Sequence, residues 1–121
     1  MTENAVETLV LRFMKDRGWR SLRNHVGVFL TATGSSRVSI GEVGYPDWTF
    51  IRGNTPLKMG STGTVDMMHF EAKATGKRPR KEQLEKLASL QYLGEIALWA
   101  DSLDTFKFQY HRYFDERPLD L

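Results

Sequence analysis

The sequence predicts an α/β fold, a central mixed sheet of about four to five strands flanked by helices, on three observations. An apolar stripe at three- and four-residue spacing runs through residues 3–17. Two short apolar runs, 48–51 and 65–73, are bounded by Gly or Pro, which is how the two strands of a hairpin look. A helical pattern over 81–93 ends at Gly94 and leads into the apolar run 96–100, which can pair parallel to 65–73 through a crossover helix.

Taken in order, Val6, Leu9, Val10, Phe13 and Met14 make the stripe of the first helix, with Thr2 as N-cap and Gly18 as its stop after Lys15 and Arg17. Residues 19–24 read as a polar link carrying Arg20 and Arg23 beside Trp19. Val26 to Thr31 reads as a strand, Thr33 to Ser36 as a turn and Arg37 to Ile40 as a short return strand. Gly41 and Gly44 before Pro46-Asp47 suggest a close backbone approach, to a neighbouring strand or to a phosphate. Pro46 pushes Tyr45 towards an extended conformation and so sets the direction in which Asp47 emerges. Arg52 to Thr64 reads as a long connecting loop, and Val65 to Lys73 as the second strand of the pair. After the final strand at 96–100, the near-alternation of Phe106, Phe108 and Tyr110 predicts a further strand, its aromatics serving a core or an oligomer interface.

The chemistry concentrates on Gly44-Tyr45-Pro46-Asp47 and Glu71-Ala72-Lys73. Alternation along a strand points Glu71 and Lys73 the same way, with His69 on that face too. Pairing the two runs as a hairpin brings Asp47 close to Glu71. Two such carboxylates repel and push their pKa values apart unless a cation neutralises them. Hard Mg²⁺ or Mn²⁺ suits oxygen ligands there, with Lys73 facing a metal-bound phosphate or water. Lys73, Lys77, Arg78, Arg80 and Lys81 follow without an intervening acid. A run of this kind is most simply a solvated loop, but its place directly after the acidic strand suits phosphate contact.

Pro46-Asp47, a spacer and Glu71-x-Lys73 resemble the signature of the PD-(D/E)XK nuclease superfamily. With Gly44-Tyr45 and the later Gln83, the pattern is most similar to the small VRR-NUC type, and next to Holliday-junction resolvases. The resemblance spans roughly residues 3–104 and implies a restriction-endonuclease-like fold with an α-β-β-β-α-β core. It implies Asp47, Glu71 and the Ala72 carbonyl as Mg²⁺ (or Mn²⁺) ligands, Lys73 as the group that positions water, and Gln83 as an orienting side chain. It also implies an acid on the first helix, Glu7 by the resolvase spacing or Glu3 by the VRR-NUC spacing. Arg23-Asn24 matches a pair expected to touch the DNA backbone, together with Arg20 and with Lys77, Arg78, Arg80 and Lys81. The implied activity is metal-dependent endonucleolytic cleavage of DNA, structure-specific for branched forms, of phage or mobile-element type, by a homodimer.

With 121 residues, a single domain over 1–121 is expected. The 40% hydrophobic and 26% charged content is ordinary for a globular protein. No apolar run approaches a membrane span and no signal-peptide layout opens the chain, so a cytoplasmic protein is expected. Zero Cys excludes disulfides and thiolate metal sites. Net charge is only +2, so any argument for nucleic acid rests on charge distribution. The main rival reading is a DNA-binding module without catalysis, which gives no reason for Asp47 and Glu71 to sit where they repel phosphate. A glycosidase-like carboxylate pair would leave Lys73 without a role.

Overall fold

The computed structural model describes residues 1–24, 27–30, 37–40, 43–53 and 65–114, with the backbone alone for 27–30 and 37–40. Its elements are α1 (Glu3–Asp16), β1 (Arg20–Arg23), β2 (Gly27–Leu30), β3 (Arg37–Ile40), β4 (Trp48–Gly53), β5 (Val65–Ala72), α2 (Lys81–Tyr92), β6 (Ile96–Ala100) and α3 (Leu103–Tyr113). The chain is α/β, with a four-stranded mixed sheet in the order β1-β4-β5-β6. The β1–β4 and β4–β5 pairs are antiparallel and β5–β6 is parallel, so α2 is the crossover.

Local rules explain the helices. Thr2 Oγ1 accepts from the Ala5 N–H, and Gly18 takes a φ of +84° where the chain leaves α1. Val6, Val10, Phe13 and Met14 form its buried stripe. They pack on one face of the sheet with Phe50, Met68, Phe70, Leu98, Phe106 and Tyr110. Each such side chain taken out of water stabilises the fold by about 1.5–3 kcal/mol. The opposite face carries a smaller apolar cluster, where Leu87 and Leu90 of α2 meet Ala97, Tyr45 and Trp99.

Three expectations need correction. Residues 20–23 form β1, an edge strand, and not a polar link. Arginines at both of its ends hide the strand, leaving Leu22 as its one apolar residue. The expected strand and return strand are present as β2 and β3, paired with each other in a two-stranded sheet. Arg52 and Gly53 belong to β4 instead of the loop. The aromatic C-terminal run is helix α3, not a strand. Phe106 and Tyr110 are one turn apart and fully buried, whereas Phe108 is 70% exposed, the reverse of what alternation requires. Ser102 starts that helix by accepting from the Thr105 N–H. The expected turn at 33–36, Gly41 and most of the 52–64 loop lie outside the described residues.

The β6 edge is closed by side chains. Lys73 N–H donates to the Ala100 carbonyl, so Ala97 and Trp99 turn their main-chain groups away from β5. Gln91 of α2 donates to the Ala97 carbonyl at 2.8 Å, and Gln109 of α3 to the Trp99 carbonyl at 3.0 Å. Both outward carbonyls of that edge are therefore occupied, which blunts it against strand pairing.

Candidate functional site

The site forms where β4 begins and β5 ends. Trp48 stands opposite Phe70, so the next pair outward is Asp47 with Glu71, on the face covered by α2. Gly44 has a φ of +80°, and a Cβ there would run into the Glu82 carbonyl. The backbone that Gly44 approaches closely is the first turn of α2, not the neighbouring strand or phosphate that the sequence suggests, and this brings Gln83 to the acids.

Glu71 is only 2% exposed. The Asp47 N–H donates to its Oε2 at 3.0 Å, Gln83 Nε2 donates to its Oε1 at 2.8 Å, and Lys73 Nζ lies 3.5 Å from Oε1. Gln83 Oε1 in turn accepts from the Arg80 N–H at 2.8 Å, satisfying a donor at the start of α2. Burial, and then the charge of Asp47, push Glu71 up to about 7 against the lowering influence of the Asp47 N–H and Lys73. Asp47 is raised as well, mainly by burial, with Arg23 opposing and Glu3 and Glu7 adding to the rise.

The two candidate helix acids stand one step out. Glu3 lies 3.8 Å from Lys73 Nζ, and Glu7 lies 3.3 Å from Arg23. Both bear on Asp47, with Glu3 the stronger. Four carboxylates, Glu3, Glu7, Asp47 and Glu71, thus meet two cations, Lys73 and Arg23. That deficit of positive charge is the feature a divalent cation would correct.

The donor set fits such a cation. Among the described residues no three of His, Cys, Asp and Glu are gathered to hold a metal. Mg²⁺ needs only one or two carboxylates, because it keeps several waters and takes phosphate oxygens. A third protein ligand is available in kind at Ala72. The Lys73 N–H faces β6, so the Ala72 carbonyl faces the β4 side, where continuing the register puts Pro46. Proline has no N–H to offer that carbonyl.

The remaining predicted residues divide into two groups. Arg20, Lys77, Arg78, Arg80 and Lys81 are exposed. Lys81 also pairs with Glu85 at 3.8 Å, a solvated contact of small energy. The base of the 77–81 segment is anchored, with the Gly76 N–H donating to Asp101 Oδ2 and Thr75 Oγ1 to the Asp101 carbonyl. Arg23 is engaged with Glu7 and stacks over Trp48. Asn24 turns inward, its Nδ2 donating to the Pro46 carbonyl and to Thr49 Oγ1, each at 2.9 Å. His69 is buried between Thr49 and Glu95. Thr49 and Glu95 carry no sequence signal, being single polar residues beside apolar runs. A cavity of ≈ 690 Å³ lies elsewhere, between α1 and β1, lined by residues such as Leu11, Arg12 and Trp19, and holds none of these groups.

No protein-family model, curated protein or solved structure matches this chain.

Proposed function

We propose that the chain is a metal-dependent endonuclease that hydrolyses phosphodiester bonds in DNA. On the resemblance of its motifs we assign it a restriction-endonuclease-like fold, a phage or mobile-element type and branched DNA, such as a four-way junction, as substrate. The observation that carries the reading is the convergence of Asp47, Glu71, Lys73 and Gln83 at one end of the sheet, beside an exposed and anchored basic segment. A binding module gains nothing from two desolvated carboxylates facing a phosphate, whereas a hydrolase that recruits a cation does.

Asp47, Glu71 and the Ala72 carbonyl would hold Mg²⁺ or Mn²⁺. When bound, the ion supplies a water of lowered pKa and neutralises phosphate charge. Gln83 keeps Glu71 fixed through a hydrogen bond, so no rotamer search precedes binding. The Lys73 ammonium, largely buried beside Glu71, would hold the attacking water and stabilise charge developing on the phosphoryl oxygens. Lys77, Arg78, Arg80, Lys81 and Arg20 would contact the DNA backbone, an interaction that weakens steeply with salt. One chain offers one such site, so cutting both strands of a junction calls for two chains related by a two-fold axis. A monomer by light scattering at working concentration would remove that last part of the reading.

The test is cleavage of labelled four-way junction, flap, single-stranded and linear duplex DNA in Mg²⁺, Mn²⁺ or EDTA, with Asp47→Ala as control. Cutting that needs metal and is lost in the variant is the expected result. Binding without cutting in any metal would make the chain a DNA-binding protein instead. Neither binding nor cutting would overturn both readings.

A further inference from the structure

Two residue pairs in from Asp47 and Glu71, and so on the same face of the sheet, stands a second cross-strand pair, Thr49 and His69. Both are buried. Their contacts form a single chain of hydrogen bonds. Asn24 Nδ2 donates to Thr49 Oγ1 at 2.9 Å, Thr49 Oγ1 lies 3.0 Å from His69 Nδ1, and His69 Nε2 lies 2.9 Å from Glu95 Oε1. Donor and acceptor chemistry gives the chain a direction. A carboxylate only accepts, so the ring proton of the neutral imidazole sits on Nε2, and Nδ1 accepts from the Thr49 hydroxyl. The Thr49 oxygen then has lone pairs left for Asn24.

The far end of this chain reaches Asp47. The second Nδ2 hydrogen of Asn24 goes to the Pro46 carbonyl at 2.9 Å, and the Asn24 main-chain N–H goes to the Asp47 carbonyl at 2.7 Å. These two carbonyls flank the Cα of Asp47, so Asn24 grips the peptide planes on both sides of it. The Asp47 N–H is in turn tied to Glu71. Asp47 follows a proline and precedes the strand, where the β4–β5 ladder offers it nothing else.

We propose that Asn24, held by the Thr49–His69–Glu95 chain, is the positioning residue that fixes the direction in which Asp47 faces Glu71. The proposal rests on the reading of Asp47 as a cation-binding carboxylate only for its consequence in metal affinity. It gives Asn24 a task inside the protein, and it leaves His69 neither base nor ligand, since both ring nitrogens are committed.

The test uses the full chain with Thr49→Val, which keeps the branched shape and loses the hydroxyl, and Thr49→Ser, which keeps the hydroxyl. Amide hydrogen exchange of Asp47 is read by NMR relative to Leu98 in the sheet, so that a uniform loss of stability cancels. Thr49→Val should speed Asp47 exchange about tenfold over that reference, the effect of stranding one buried donor, and Thr49→Ser should restore it. Glu95→Ala, at the more exposed end of the chain, should do the same to a smaller degree and serves if Thr49→Val does not fold. An unchanged Asp47-to-Leu98 ratio in the variants overturns the proposal. Mn²⁺ affinity, read from the free-ion electron paramagnetic resonance signal, should fall about tenfold in Thr49→Val and recover in Thr49→Ser. Equal Mn²⁺ binding by wild type and Thr49→Val also counts against the clamp. Wild type that binds no Mn²⁺ overturns the cation reading of Asp47, and the exchange ratio then decides the clamp alone.

Discussion

Glu71→Gln should make this protein more stable at pH 8 and no more stable at pH 5. The Glu71 carboxyl holds its proton up to about 7 instead of the ordinary 4.5, because it is buried and faces Asp47. Between those two values the folded state binds more protons than the unfolded one, so stability falls as pH rises from about 4.5 to about 7 and then levels off. At about 1.4 kcal/mol per pH unit, the charge on Glu71 costs the fold about 3 kcal/mol above pH 7. Glutamine removes that charge but offers a single oxygen to the Asp47 N–H and Gln83 donors, a loss of about 1 kcal/mol. The net gain at pH 8 is about 2 kcal/mol, or a rise of about 8 °C in melting temperature for a domain of this size. At pH 5 wild type is itself neutral at this position and the advantage vanishes. Melting curves by circular dichroism at half-unit steps from pH 5 to 8 measure the difference. A gap between variant and wild type that stays constant across that range would refute the reasoning, because Glu71 would then be charged throughout. Mg²⁺ at pH 8 should stabilise wild type more than the variant, since a cation between Asp47 and Glu71 relieves the same repulsion.

Lys73→Ala should reduce cleavage about 10²- to 10³-fold while circular dichroism shows the fold retained, and equal rates would remove Lys73 from the chemistry. Replacing Lys77 and Arg78 by Gln should weaken DNA binding across all substrates and lower the slope of log affinity against log salt by about one for each charge, as read by fluorescence anisotropy. Gly44→Ala should destabilise by about 2–3 kcal/mol in urea unfolding, because a side chain at φ +80° is strained and meets the Glu82 carbonyl. Gln91→Leu with Gln109→Leu should bare the outward carbonyls of β6 and cause self-association in sedimentation velocity, whereas either single variant keeps half of the edge covered.

What the sequence discloses and what it conceals follow from how far each signal reaches. The β4–β5 pairing is legible because Pro46 marks where one strand begins and the glycine-containing loop separates it from the next. Counting outward from two apolar runs then puts Asp47 beside Glu71. Helix α3 is not legible from its aromatics, because Phe106, Phe108 and Tyr110 satisfy a strand period while Phe106 and Tyr110 also satisfy a helical one. The deciding residue is Ser102, whose cap selects the helix and leaves Phe108 in solvent. Strand β1 is concealed because an edge strand with one buried-side residue per turn of the pleat needs no apolar run. Its identity comes from Asn24, Leu22 and Arg20 matching Asp47, Thr49 and Ile51 across the ladder, a long-range pairing that no local window contains.

Two amide side chains explain how such a repulsive pair survives in a fold. Gln83 must accept from the Arg80 N–H at the start of α2 and donate to Glu71 in the same geometry. A glutamate would keep the first bond and set a further carboxylate directly against Glu71 at the second. A lysine would keep the donor and lose the acceptor, so only an amide of this length serves both. Asn24 acts as a donor alone, its side-chain Nδ2 giving to the Pro46 carbonyl and the Thr49 hydroxyl while its main-chain N–H gives to the Asp47 carbonyl. Gln83 therefore ties Glu71 to α2, and Asn24, just past the end of β1, holds the peptide planes on either side of Asp47; neither adds charge of its own. The electrostatic strain between the acids is left intact, held open by neutral groups, which is the condition under which an added cation gains most from binding there.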